Sequence, residues 1–123
     1  MNEKTLYERL GGYDAISAVA ENLLPRLQTD EQLGRFWAHR GSDGIAREKQ
    51  LLIDFLCSVA GGPVYYRGRN MKLCHEGMRI SQSDWTIFLG HVNATLDSFA
   101  VPSLERAEVT AFIESLKVEI VEI

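Results

Sequence analysis

The apolar residues of this chain recur three and four positions apart along almost its whole length, and no segment keeps up the alternation of a half-buried strand. That period predicts an all-α fold, cut into helical lengths by glycine and proline. Thr5 and Glu8 stand at capping-box spacing, so a short first helix is expected from near Leu6 to Gly11 and Gly12. From Asp14 onward Ile16, Val19, Ala20, Leu23, Leu24 and Leu27 share a face of a second helix, which Pro25 should kink. Residues 31–37 have room for one more helical turn. Ser42 or Asp43 is expected to cap a third helix that reaches Ala60 and is closed by Gly61 and Gly62. Pro63, Tyr65, Tyr66 and Gly68 make 61–70 a loop, with a short helix over 71–78 to follow. Ser81 and Asp84 signal the next helix start, ahead of the stripe Trp85, Phe88, Leu89, Val92, Leu96 and Phe99. Pro102 divides that helix from a last one, which begins after Ser103 and carries Val109, Phe112, Ile113 and Leu116.

At 123 residues and 46% hydrophobic content the chain can bury one core, so residues 1–123 read as a single domain able to enclose a ligand. The net charge of −4 argues against nucleic acid as a partner, which would need a basic face to neutralise phosphates. No stretch approaches the roughly 20 apolar residues that span a bilayer. Glu3, Lys4, Glu8 and Arg9 break up the apolar core that a signal peptide requires, so the expected location is cytoplasmic. Cys57 and Cys74 are too few for a disulfide scaffold and form no CxxC pair; both read as buried thiols.

His39, His75 and His91 are the only imidazoles, and none has a second histidine or a cysteine at zinc-site spacing. Ser81 and Asp84 lie near His75 but lack the glycine pattern of a nucleophile elbow, so a hydrolytic triad is not indicated either. In the third helix Ile45, Leu52, Phe55, Leu56 and Val59 form an apolar stripe that Glu48 interrupts. On chemistry alone the chain is a helical domain with an apolar interior.

A set of ordered motifs goes further. Leu6, Tyr7, Leu10, Gly11 and Gly12 are followed by Phe36 and Trp37, then by Gly61 and Gly62. Next comes the run Tyr66, Arg67, Gly68, Arg69, Asn70, Met71, Lys72, Leu73, Cys74, His75, and last Val101 and Pro102. In this order and spacing, from Leu6 to about Leu116, the chain resembles the group I truncated haemoglobins, and the string ending in His75 is the most specific part. The resemblance implies a two-over-two helical sandwich around a haem, with His75 as the proximal iron ligand. A c-type attachment would need a cysteine where Met71 stands, so the implied cofactor is non-covalent haem b. It also implies that Met71, Cys74, Ile80, Phe88, Phe112 and Ile113 face the porphyrin, and that Tyr66, Arg69 and Lys72 meet its propionates. Phe36 or Trp37 would stack on the ring, and Leu52 and Phe55 would approach it from the third helix.

On the distal side the chain departs from the family pattern. Leu24 stands where a tyrosine is usual and Leu52 where glutamine is common, which removes the usual hydrogen-bond network around the gas. Glu48 has two orientations open to it: inward to the pocket, or outward to solvent or Arg47. The implied function is reversible binding of a diatomic gas, O2, NO or CO, as in oxygen transport. Two alternatives remain open: a haem enzyme with nitric oxide dioxygenase or peroxidase-like activity and an unidentified reductase, or a haem-free helical interaction module.

Overall fold

The computed structural model describes residues 4–38, 41–63, 66, 68 and 71–123, and the side chains of all of these except Leu73 and Cys74. Among the described residues seven α-helices and one 3-10 helix follow in order: α1 (Leu6–Leu10), α2 (Tyr13–Gln28), the 3-10 helix (Leu33–Trp37), α3 (Ser42–Val59), α4 (Met71–His75), α5 (Gln82–Ser98), α6 (Ser103–Ser115) and α7 (Lys117–Ile120). No strand occurs among the described residues, so the all-α expectation holds.

Local chemistry accounts for most of the boundaries. The Thr5 hydroxyl accepts the Glu8 amide and the Glu8 carboxylate accepts the Thr5 amide, which completes the expected capping box of α1. Gly11, at φ 111°, ends that helix in the left-handed region that glycine enters without steric cost. Ser81 and Asp84 form a second reciprocal box at the start of α5. At α3 the expectation fails, because the cap is extended Gly41 with no side-chain bond, and Ser42 is already the first helical residue. α2 starts one residue early, at Tyr13, and runs through Pro25. α4 stops at His75 rather than Met78, since Gly77 turns the chain at φ 84°. α7 follows directly on α6 and was not foreseen.

The core has two parts. One gathers Leu23, Leu24 and Leu27 of α2 with Leu33, Ile80, Trp85, Val92, Leu96, Ile113 and Ile120. The other packs Ile16 and Ala20 of α2 on Ile53, Cys57 and Ala60 at the C-terminal half of α3. Leu52 touches both. Cys57 is fully buried, as expected, and burial pushes its thiol pKa up. Gly62 lies so close to Tyr7 that a Cβ there would stand 2.5 Å from the ring, which is how the end of α3 seats against α1.

Polar anchors fix the helices that bear the site. Asp84, only 1% exposed, accepts from Arg35 Nη1 at 3.0 Å and Nη2 at 2.7 Å, and from Gln32 Nε2 at 2.6 Å. The Arg35 guanidinium holds the Asp84 carboxyl well below the usual carboxylate range, against the opposing effect of burial. Asp30 accepts the backbone amides of Gln32 and Leu33 and pairs with His91 Nε2 at 2.7 Å. The 3-10 helix is thereby tied to α5 at two points.

Candidate cofactor site

His75 is the last residue of a five-residue helix, too short to be stable alone. Its Nδ1 lies 2.8 Å from the Met71 carbonyl oxygen, one turn back. A carbonyl only accepts, so Nδ1 carries the proton and Nε2 keeps its lone pair for an electrophile. An imidazole oriented in this way by a backbone carbonyl is the usual arrangement of a metal-ligating histidine. His91 is unlike it, because its Nε2 is engaged by Asp30. His39 lies outside the described residues.

Most of the apolar candidates belong to one core cluster. Ile80 and Ile113 are buried in the larger core cluster, and Phe36, Trp37, Leu52, Met71, Phe88 and Phe112 pack half-buried against it. Phe55 joins them through Phe112, with ring centroids 5.9 Å apart, and meets Tyr66 edge-on at 5.1 Å. Lys72 is exposed, Arg69 lies outside the described residues, and so does the Cys74 side chain. Arg35 covers the Phe36 ring at 4.2 Å, whereas Trp37 reaches across to α3.

The departures on the other side are also located. Leu24 is 5% exposed within the larger cluster and offers no polar group. Glu48, one turn before Leu52 on the inner stripe of α3, accepts a hydrogen bond from Trp37 Nε1 at 3.2 Å. The carboxylate thus faces the 3-10 helix. This indole-carboxylate pair carried no sequence signal beyond the broken stripe. Nor did a cavity of about 240 Å³ enclosed mainly by α1, α2, α3, α5 and α6, which reaches Phe112 and Ile113 from the side of Val19, Leu56 and Val109.

The residues fit a haem: an imidazole with one free nitrogen, one turn from Met71, and a half-buried aromatic and aliphatic fringe to which Met71 belongs and which a flat apolar group could cover. Comparison with known proteins agrees. Residues 5–122 match the bacterial-like globin family. The chain is 33% identical over 116 residues to a group 1 truncated hemoglobin of Mycolicibacterium paratuberculosis, covering 94% of this chain and 83% of that one. Its fold superimposes on the Fe(III) form of truncated hemoglobin from Tetrahymena pyriformis with TM-score 0.87 and 27% identity, over 98% of this chain and 100% of the other. A 2/2 hemoglobin from Synechococcus, with covalently attached heme, gives TM-score 0.82 and 25% identity over 93% and 94%. A helical sandwich of this shape, a match along nearly the full chain and a prepared imidazole lead to one conclusion: the chain belongs to the bacterial-like globins, as a haem-binding group 1 truncated haemoglobin with the two-over-two fold.

Proposed function

We propose that the protein, one domain over residues 1–123, binds haem b non-covalently, with His75 Nε2 on the iron, and reversibly takes up a neutral diatomic gas such as O2, NO or CO on the opposite face. The observation that carries this reading is the 2.8 Å contact from His75 Nδ1 to the Met71 carbonyl, which prepares Nε2 as a ligand. Haem, when bound, supplies the iron that receives the gas. The chain supplies the rest. Phe36, Trp37, Leu52, Phe55, Met71, Cys74, Ile80, Phe88, Phe112 and Ile113 would shield the ring from water, and Tyr66, Arg69 and Lys72 would meet its propionates. Leu24, Leu52 and Glu48 would surround the gas. Non-covalent attachment rests on Met71, which replaces the first cysteine of a c-type motif.

A second reading, turnover of nitric oxide or peroxide with electrons from a reductase, is favoured by Glu48. Its carboxylate is turned to Trp37 and could serve as an acid-base group beside the iron. Cytoplasmic location and a role in oxygen transport follow from the same proposal.

The test is the absorption spectrum of purified protein supplied with haem, compared with His75→Ala. The wild type should show a five-coordinate ferrous spectrum that CO converts to a six-coordinate one. His75→Ala should lose the five-coordinate imidazole form and release haem faster. An unchanged spectrum in that variant would remove the proposed ligand. Turnover of NO by the oxygenated protein at a rate above that of free haem would select the second reading.

A further inference from the structure

The segment that follows His75 is unusual for its backbone. Within five residues it holds two positive φ angles, Gly77 at 84° and Arg79 at 57°. The second is a conformation that a residue with a Cβ adopts at a cost. The turn carries the chain from the short α4 to the capping box of α5, so its shape helps to fix where the His75 helix lies.

What holds the turn comes from the other end of the chain. The Glu122 carboxylate accepts the Gly77 amide at 3.1 Å through Oε2 and the Arg79 amide at 2.6 Å through Oε1. The Ile80 carbonyl accepts the amides of Glu122 at 2.8 Å and Ile123 at 3.3 Å, and the Gln82 amide donates to the Ile123 carbonyl at 3.0 Å. Just before this ladder Ile120 is buried in the larger core cluster and Val121 packs on it, while α7 lies against α4. One carboxylate thus takes the amides at both positive-φ positions, two and four residues past the imidazole.

We infer that Glu122 is a positioning residue for the proximal imidazole: it clamps the 77–79 turn and thereby sets the angle at which His75 meets the cofactor. The inference rests on the proposed role of His75 and adds its control from a distant segment. A clamp of two charge-assisted hydrogen bonds is stronger than neutral pairing, and each restrains backbone rather than a flexible side chain. Without it the turn can relax its left-handed residue. The five-residue helix before it is too short to be stable alone.

The experiment uses the haem-loaded protein and the iron-imidazole stretching band of the ferrous form in resonance Raman spectra. Haem transfer to excess apomyoglobin is followed in parallel. Glu122→Ala should shift or split the band and speed haem transfer about threefold to tenfold. Glu122→Gln keeps one acceptor oxygen and should fall between the two. Ile120→Val serves as the control for general destabilisation, since it trims the core beside the clamp but leaves the carboxylate in place. It should lower the melting temperature without moving the band. An unmoved band in both Glu122 variants would overturn the inference, as would an equal shift in Ile120→Val. Absence of any imidazole band in the wild type would instead overturn the assignment of His75.

Discussion

Leu24 is where a single side chain has the plainest consequence for the gas. It sits 5% exposed in the core and gives a bound molecule no hydrogen-bond donor. O2 accepts a hydrogen bond in such a pocket far better than CO does, and one neutral bond contributes about 1 kcal/mol, roughly fivefold in an equilibrium. Leu24→Tyr should therefore slow O2 dissociation several-fold to about tenfold in stopped-flow measurements, with a smaller change for CO. If the O2 rate moves by less than about twofold while the new hydroxyl faces the gas, a donor is already present. Glu48 is then the residue to replace, since its carboxyl is a donor only when protonated and Trp37 keeps it on the inner side of α3.

Among the elements, the start of α5 depends on one buried charge. Asp84 closes the capping box, takes two bonds from Arg35 and one from Gln32, and so joins α5 to the 3-10 helix that carries Phe36 and Trp37. Asp84→Asn should destabilise the protein by about 2 kcal/mol, less than for a wholly buried ion pair because the Arg35 side chain is half exposed. Chemical denaturation followed by circular dichroism reads that difference. The pH dependence has a definite sign. The folded-state pKa of Asp84 is depressed, so its contribution is present in full above the ordinary carboxylate range and fades as pH falls below about 4 toward the lowered folded value. Wild type should lose stability more steeply than Asp84→Asn between about pH 4 and 2. Parallel curves would mean that other carboxylates govern acid unfolding.

For the whole molecule, the two core clusters differ in what completes them. The cluster of Ile16, Ala20, Ile53, Cys57 and Ala60 is fringed by Leu6, Tyr7, Leu10, Leu52 and Leu56, of which only Leu52 is a proposed haem contact. The larger one is fringed by half-buried Phe36, Trp37, Leu52, Met71, Phe88 and Phe112, the proposed lining of the haem. Removal of haem should therefore leave amide protection in residues 16–20 and 53–60 largely intact and abolish it over 71–80, as read by hydrogen exchange with mass spectrometry. Uniform loss along the chain would show that the smaller cluster cannot stand without the cofactor.

Helical period, the two capping boxes and the glycines at 11, 12, 61 and 62 were sufficient to predict an all-α chain and most helix boundaries, because these are local effects decided within a few residues. The string from Tyr66 to His75 led to His75 as the proposed iron ligand for the same reason: its order and spacing are written in one continuous stretch. What lay beyond sequence reasoning joins residues far apart. Glu48 meets Trp37 only once α3 and the 3-10 helix are folded together. The clamp of Glu122 on Gly77 and Arg79 spans more than forty positions. No local period could reveal a carboxylate whose partners are backbone amides of a distant turn; only the packing of α7 against α4 brings them within hydrogen-bond distance.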